Sequence, residues 1–362
     1  MADKLLNLGL NDGTYCPASC IEVLKRFDTR TSLRNYTSPE NDPLREAIAA
    51  KDGVSPDNIY LANGSGPILK QAVPGFIRQQ IKAAPKRIFK HLAFKEGYPI
   101  ITPRLTYFKV PGKAMGLGLT VHLVPLEPED GFKLDVNKLA DVLKKTDGFV
   151  YLANPNNPTG NLIIERPDIE QLVQDFPKST FYIDEAYVQY VPAARHTPVT
   201  DLVPKYPNMM VGRTFSFAYG LAALRIGYLV TQPDHVKQLQ AQVVDYRLGE
   251  LQQEMGIAAV TDPDHLPFIQ EKTAEAIAYL RDGLANMQGL QTFPSTANFL
   301  LCRLTDGRTG DEVKAAMKEK GILIKAFAPI GEHRWDDYFR LTVGTPEENE
   351  RMLTALREVL SR

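Results

Sequence analysis

Cysteine is scarce in this sequence, with Cys16, Cys20 and Cys302 as the only three thiols among 362 residues. A small, odd number of cysteines excludes a disulfide framework. Cys16 and Cys20 are close enough in sequence to share a metal ion, but no close histidine or cysteine pair completes a site around them. We therefore expect reduced thiols and no metal site.

Long apolar runs and an excess of either charge are also missing. The N-terminal stretch "MADKLLNLGLNDGTYCP" lacks the apolar core of a secretory signal, and no run approaches the length of a membrane span. Lysine and arginine total 42 and aspartate and glutamate 43, for a net charge of -1. This balance gives no electrostatic case for nucleic acid or an anionic membrane surface. We predict a cytoplasmic protein with neither as a partner.

Apolar segments that alternate with helical patterns indicate the fold class. The predicted strands are "NIYLANGSG", "RIFKHLAF", "KAMGLGLTVHLVPL", "GFVYLANP", "STFYIDEAY", "NMMVGRTFS" and "IGYLVTQ". Helical patterns such as "DVNKLADVLKK" and "RPDIEQLVQDF" fall between several of them. This alternation favours an α/β fold with a mostly parallel, doubly wound sheet.

The pattern changes from about residue 246 to long helices followed by short strands. The helix "LPFIQEKTAEAIAYLRDGLANM" precedes the strands "NFLLCRL", "GILIKAF" and "YFRLTVG", and "PEENERMLTALREVLSR" is the predicted final helix. This order is typical of a smaller α+β domain. We predict an N-terminal arm over residues 1–35, a large domain over 36–245 and a small domain over 246–362.

Two polar segments follow predicted strands, where open α/β sheets bind their ligands. They are "NPNNPTG" at residues 154–160 and "YIDEAY" at residues 182–187. Taken alone, the first is consistent with a polar turn and the second with a helix cap. A carboxylate at a buried strand end, as at Asp184, is nevertheless costly unless it is paired.

Other segments carry groups that suit an anion. "NGSG" at residues 63–66 lies between a predicted strand and a helix, where backbone N–H groups and a hydroxyl can bind phosphate. "RTFSFAYGLAALRIGYLV" at residues 213–230 adds the hydroxyls of Thr214 and Ser216 and the guanidinium of Arg225. Two hydroxyls and a bidentate cation suit a phosphate dianion. Arg340, in the apolar strand "FRLTVG", is by itself consistent with an exposed edge position.

In this order the segments resemble the fold-type I aminotransferases, which use pyridoxal 5'-phosphate (PLP), and most closely the histidinol-phosphate aminotransferase branch. The resemblance runs from "NLGLNDG" to the final helix, and "PSTANFLL" matches a small-domain strand of the family. It implies a homodimer, an arm packed on the small domain or the partner subunit, and a small-molecule substrate with a carboxylate. The implied roles are ring contacts for Asn157, Asp184 and Tyr187, phosphate contacts for Gly64, Ser65, Gly66, Thr214, Ser216, Arg225 and, across the dimer interface, Tyr36, and substrate contacts for Asn298 and Arg340.

Two positions depart from the family pattern. Phe217 occupies the place of the lysine whose amine binds PLP as a Schiff base and then transfers the substrate proton. No lysine lies between Lys205 and Lys237. Leu105 occupies the place of the aromatic residue that stacks on the ring, unless a two-residue shift in register puts Tyr107 there.

Four interpretations of Phe217 are open. The protein is a natural enzyme that does not need the lysine, or a pseudoenzyme that binds PLP or another phosphate ligand. Otherwise it is an active-site mutant of a histidinol-phosphate-type aminotransferase, or another lysine replaces the missing one, with Lys325 as the best candidate. The joint retention of Asp184 and Arg340 favours the first interpretation, a natural enzyme that does not need the lysine. In the family Asp184 would serve a pyridine nitrogen and Arg340 a substrate carboxylate.

From this interpretation we predict a lysine-less, aminotransferase-like enzyme that acts on an amino acid or a similar compound. We expect PLP or pyridoxamine phosphate to bind non-covalently, with chemistry other than ordinary transamination. Tyr187 and Tyr219 are the candidates for proton transfer.

Overall fold

Thirteen strands form three sheets in the described part of this protein. The computed structural model describes residues 5–27, 37, 42–94, 97–242, 248–328 and 335–361. The strands of this part of the chain are β1 Leu6–Asn7, β2 Ile59–Ala62, β3 Ile100–Pro103, β4 Val121–Val124, β5 Phe149–Ala153, β6 Thr180–Asp184, β7 Met209–Thr214, β8 Gly227–Val230, β9 Leu290–Thr292, β10 Phe299–Leu304, β11 Ile322–Leu323, β12 Lys325–Ala326 and β13 Tyr338–Thr342.

The largest sheet has seven strands in the order β2-β8-β7-β6-β5-β3-β4. Strand β8 alone runs against the other six, since it pairs antiparallel with both β2 and β7. The carboxyl ends of β2, β3, β5, β6 and β7 therefore lie along one edge, together with the amino end of β8. This confirms the predicted α/β class with a mostly parallel sheet, and it collects the polar segments at one edge.

The central strands are buried on both faces. Along β5 and β6, Val150, Leu152 and Ile183 face one apolar cluster, whereas Tyr151 and Tyr182 face another on the opposite side. This alternation follows from the two-residue period of a strand. Apolar residues at successive positions are what a parallel sheet covered by helices on both faces requires.

The helices of the described residues cover these sheets. They are α1 Ala18–Arg26, α2 Pro43–Asp52, α3 Ser65–Pro67, α4 Val73–Lys82, α5 Pro85–Phe94, α6 Lys109–Gly116, α7 Val136–Leu143, α8 Arg166–Asp175, α9 Pro233–Gln242, α10 Glu250–Thr261, α11 His265–Ala285, α12 Gly310–Glu319 and α13 Pro346–Leu360. Helix α2 ends at Gly53, whose φ of 67° is the left-handed conformation that glycine adopts without strain. In this part of the chain no helix combines the length and apolar character needed to cross a membrane.

Two strand predictions are wrong. "RIFKHLAF" is helix α5, because Pro85 begins it and Ile88, Phe89 and Leu92 recur with the period of one helical face. The segment at residues 113–126 forms the end of α6 and then, after two glycines, only the short strand β4. Strand β3 was not predicted at all, since "IITP" is short and ends in proline.

The second region is a four-stranded antiparallel sheet in the order β12-β13-β10-β9, packed against α11, α12 and α13. The N-terminal segment joins it, because β1 pairs with β11 and the carbonyl of Leu8 accepts from the N–H of Thr342. Helix α10 instead packs on α2, where Gly256 contacts Leu44. The division at residues 35 and 245 stays a prediction.

Candidate active site

The loop after β5 is held rigidly against two neighbouring segments. Asn156 donates to the carbonyl of Leu105 at 2.8 Å, and its Oδ1 accepts from the hydroxyl of Thr106 at 2.8 Å. Asn154 bonds the backbone of Ile163 and Ile164 in the chain that returns from the loop. This bonding leaves Asn157 at the tip of the loop, where its side chain turns towards Arg340 and Tyr187.

Asp184, the last residue of β6, is a buried carboxylate without a cation. It accepts from the hydroxyl of Tyr151 at 2.7 Å and from the N–H of Ala186 at 3.2 Å. No basic side chain of the described residues pairs with it. Burial raises the pKa of Asp184 to about 6, although both hydrogen bonds act in the opposite direction. A protonated ring nitrogen is a suitable partner for such a carboxylate.

Arg340 is the opposite case, a buried guanidinium without a carboxylate. Nη1 donates to Oδ1 of Asn157 and Nη2 to the carbonyl of Gly9, each at 2.7 Å. Its Nε is buried and has no hydrogen-bond partner. The guanidinium lies 5.1 Å from the ring centre of Phe299, and burial lowers its pKa. The alternative interpretation, an exposed residue on an edge strand, is therefore excluded.

Tyr187 links the loop, the N-terminal segment and Phe217. Its hydroxyl accepts from Nδ2 of Asn11 at 2.9 Å and, more weakly, from Nδ2 of Asn157 at 3.4 Å. Its ring stacks on Phe217 with centroids 4.4 Å apart and planes 14° from parallel. Burial raises the pKa of Tyr187, with the charge of Arg340 opposing. The hydroxyl therefore keeps its proton at neutral pH, and neither accepted bond uses that proton.

The groups that are predicted to bind phosphate also lie close together. The hydroxyls of Thr214 and Ser216 are 2.9 Å apart and buried. The guanidinium of Arg225 lies against Gly64, because a Cβ at Gly64 would be 2.5 Å from its Nη2. Gly64 has a φ of 93°, so a side chain here would be strained as well as too close. No carboxylate of the described residues pairs with the exposed Arg225, and Ser65 follows Gly64 directly.

Two predicted residues lie elsewhere than expected. Leu105 packs in the apolar core, whereas Tyr107 is close enough to influence the pKa of both Tyr187 and Arg340. Tyr219 packs between Phe215 and His265, with centroid distances of 4.8 and 5.9 Å. The structure thus groups Tyr107, and neither Leu105 nor Tyr219, with the residues around Arg340.

The remaining predicted residues are placed as follows. Nδ2 of Asn298 donates to the carbonyl of Asn11 at 3.1 Å, while its buried Oδ1 has no partner. Gly66 has open space around its Cα. Lys325 lies directly across from Arg340 in the sheet and is exposed. Tyr36 lies outside the described residues.

Sequence reasoning missed Asn11, Gly9 and Tyr151. Asn11 lies 176 residues before the tyrosine that it contacts, in a segment that has the composition of a turn. Tyr151 is one apolar residue among five in β5, and only its register opposite Tyr182 shows that it points towards Asp184. No local pattern marks either residue, so only the assembled sheet identifies them.

The strand order and the polar groups along one sheet edge define an α/β protein of aminotransferase fold type I. Residues 3–356 match the family model of aminotransferase class I and II, so the chain belongs to that family.

Named relatives of this chain include histidinol-phosphate aminotransferases. That of Anaeromyxobacter sp. (strain Fw109-5) is 32% identical over 318 residues, which cover 88% of this chain and 80% of the relative. That of Acetobacter pasteurianus is 31% identical, over 98% of this chain and 92% of the relative. The crystal structure of the Sinorhizobium meliloti enzyme in complex with PLP is 26% identical, with a TM-score of 0.80 over 99% of this chain and 92% of that one.

The family uses PLP, and several groups in this chain fit that cofactor. Asp184 lacks a cation, as a carboxylate that pairs with a ring nitrogen would. The hydroxyls of Thr214 and Ser216 and the guanidinium of Arg225 form a donor set for a phosphate. Phe217 supplies no amine, so the fit extends to the ring and the phosphate but not to a covalent bond at this position.

Proposed function

We propose that this protein binds PLP or pyridoxamine phosphate non-covalently and acts on an amino acid or a similar compound that carries a carboxylate. The observation that carries the proposal is a pair of buried, unneutralised charges in one site. Among the described residues, Asp184 has no cationic partner and Arg340 has no anionic partner, and the two do not pair with each other. Isolated buried charges are costly, so each is best explained by a ligand group of opposite sign.

When bound, the cofactor supplies an electron-withdrawing ring, which withdraws best while its nitrogen is protonated. Asp184 is placed to accept a hydrogen bond from that nitrogen. Asn157 and the hydroxyl of Tyr187 are the donors for the phenolic oxygen. For the phosphate, the proposed contacts are Gly64, Ser65, Gly66, Thr214, Ser216, Arg225 and, from the partner subunit, the residue at position 36.

Arg340 is proposed to hold the substrate carboxylate. Its present partners are two neutral oxygens, from Asn157 and Gly9, and a carboxylate is a stronger acceptor for a guanidinium fork. Tyr187 is the proposed proton carrier, because its hydroxyl keeps its proton and its ring lies directly on Phe217. The names of the relatives make histidinol phosphate the first compound to test, although it has no carboxylate for Arg340.

The proposal also includes features that follow from the family. We propose a homodimer, because the family completes its phosphate site with a tyrosine from the partner subunit. We further propose a cytoplasmic protein with the domain division given above. Sedimentation of the purified protein tests the first of these.

A titration with PLP tests cofactor binding. We expect saturable binding with the absorbance of the free aldehyde, and no cofactor fixed to the protein by borohydride. Phe217→Lys is expected to fix the cofactor at residue 217, and Phe217→Leu is the matched control because it removes the ring without adding an amine. A fixed peptide that contains Lys325 would establish rescue by that lysine, and no saturable binding of either cofactor form would contradict the proposal.

The second candidate function is a pseudoenzyme that binds PLP or another phosphate ligand without turnover. The stack of Phe217 on Tyr187 favours it, because an apolar ring lies where the family has its proton-transferring amine. Loss of positioned proton transfer alone slows a reaction by ~10²–10⁴-fold. Ordinary transamination is therefore expected to be very slow in either case. Turnover of any amine compound by the cofactor-loaded protein separates the two functions, since a pseudoenzyme gives none.

A further inference from the structure

A fully buried ion cluster lies directly behind the candidate site. Arg213 donates to Oε2 of Glu185 from Nε at 2.8 Å and from Nη2 at 2.6 Å. Its Nη1 donates to Oδ1 of Asp52 at 2.6 Å, and Oδ2 of Asp52 accepts from the hydroxyl of Tyr228 at 3.0 Å. The second carboxylate oxygen of Glu185, Oε1, accepts from the N–H of Val199 at 2.9 Å. Every carboxylate oxygen of the cluster is therefore hydrogen-bonded.

The cluster joins the two strands that carry the cofactor-binding groups. Glu185 follows Asp184 at the end of β6, and Arg213 precedes Thr214 at the end of β7. Asp184 pairs with Gly212 in the sheet, so Asp184 and Thr214 share one face while Glu185 and Arg213 share the other. The ion pair on one face of the sheet therefore spans the same two strands as the ring carboxylate and the phosphate hydroxyl on the opposite face.

Stability alone is a poor explanation for such a cluster. Desolvation of buried ions often cancels their attraction, and well-packed apolar residues of similar volume are frequently as stable. What apolar residues do not provide is direction, because a guanidinium fork fixes distance and angle to its carboxylate. The cluster thus supplies geometry at the place where two half-sites must keep a set separation.

We propose that Arg213 and Glu185, anchored by Asp52, are positioning residues that set the separation between the ring-binding carboxylate and the phosphate-binding hydroxyls. The inference rests on the proposed function, since it needs a ligand with both a ring and a phosphate. We call the ring site at Asp184 and the phosphate site at Thr214 and Ser216 the two half-sites. The inference adds that PLP, which occupies both, binds more tightly when the ion cluster holds them at the correct separation.

Arg213→Lys tests the inference because it keeps the charge and removes the fork. Affinities are measured by calorimetry for PLP, for pyridoxal and for inorganic phosphate. We expect the dissociation constant of PLP to rise at least tenfold, while those of pyridoxal and phosphate change less than threefold. Arg166→Lys is the matched control, because Arg166 also forks onto a carboxylate, that of Asp201 at 2.7 and 2.8 Å, but on the surface.

Each other outcome is decisive. An unchanged PLP affinity in folded Arg213→Lys overturns the inference and leaves the cluster a stability device. The inference is also overturned if the affinity for pyridoxal by itself, or for phosphate by itself, falls as much as the affinity for PLP. One half-site is then damaged directly. If Arg213→Lys does not fold, Glu185→Gln replaces it, since the amide oxygen retains the bond from Val199. Failure of the proposed function is distinguished by the unaltered protein, which would then not bind PLP.

Discussion

Two arginines in this protein share the same burial and have opposite surroundings. Arg213 and Arg340 are 5% and 6% exposed, and each lies in an otherwise apolar strand. Arg213 is enclosed by the carboxylates of Asp52 and Glu185. Among the described residues, Arg340 donates hydrogen bonds only to the neutral oxygens of Asn157 and Gly9, and its buried Nε has no hydrogen-bond partner there.

The difference shows in the pKa of each guanidinium. Burial lowers the pKa of both, but for Arg213 the two carboxylates outweigh burial and the pKa is raised. For Arg340 burial prevails and the pKa is lowered. A buried charge that the protein itself neutralises, such as that of Arg213, has a structural role. One that has no counter-charge among the described residues is a candidate for binding a ligand, as we propose for Arg340.

The largest expected effect is on stability, in Arg213→Met. This change leaves two buried carboxylates without their cation, and breaking a buried pair in this way costs about 3–5 kcal/mol. Arg340→Met removes a charge that has no carboxylate partner, so we expect its unfolding free energy to stay close to that of the unaltered protein. Urea unfolding measures both, and similar losses in the two variants would break the comparison.

The next effect is on ligand affinity, in Arg340→Met. Hydrogen bonds to a charged group contribute about 1.5–3 kcal/mol, so an amino acid should bind roughly 10- to 150-fold more weakly. The corresponding amine without the carboxylate should bind equally to both proteins. Calorimetry with such pairs, on the cofactor-loaded protein, makes the measurement, and Arg303→Met is the control, because Arg303 already pairs with the carboxylate of Asp337. Equal losses for acid and amine would contradict the assignment of Arg340.

Asp184 extends the comparison to a carboxylate and gives a pH dependence. Its folded pKa of about 6 lies above its ordinary value of 3.8, so the folded state binds the proton more tightly than the unfolded state. The resulting stability is present at low pH and is lost as pH rises through about 6. Between about pH 4.5 and about pH 7.5 the loss should be about 2 kcal/mol.

Asp184→Asn provides the reference for that measurement, because it has no proton to release and other groups titrate alike in both proteins. Relative to Asp184→Asn, the unfolding free energy of the unaltered protein, followed with urea in the absence of cofactor, should fall by about 2 kcal/mol between about pH 4.5 and about pH 7.5. A difference that is constant with pH would show that the carboxylate is not buried without a cation as the structure has it.

Local sequence patterns could predict which residues lie at strand ends, but not which charges pair with each other. "YIDEAY" and "NPNNPTG" placed Asp184 and Asn157 correctly at strand ends, because apolar strands and turn residues are adjacent in sequence. The carboxylate partners of Arg213 and the hydrogen-bond acceptors of Arg340 are 28 to 331 residues away. Nothing in "MVGRT" or "YFRLT" distinguishes the neutralised arginine from the other one.

Register matters nearer the site. The sequence left the stacking position open between Leu105, from the anchor at Pro103, and Tyr107, from a shift of two residues. In the structure the backbone turns after β3, Leu105 packs in the core and Tyr107 lies close to Arg340. The strand predicted for "RIFKHLAF" is helix α5, and its Ile88, Phe89 and Leu92 are exposed. A short apolar run in the sequence does not by itself distinguish a buried strand from such a helix.

The smallest expected effect concerns the neutral partner of Arg340. Asn157→Ala removes one hydrogen bond to a guanidinium that retains the carbonyl of Gly9, so we expect a loss of about 1 kcal/mol. Glu185→Ala removes a carboxylate from Arg213 and should cost about 3–5 kcal/mol. Urea unfolding of the two variants compares them directly. If Asn157→Ala is as costly as Glu185→Ala, Arg340 depends on its neutral contacts for stability, and its readiness for a ligand carboxylate no longer follows.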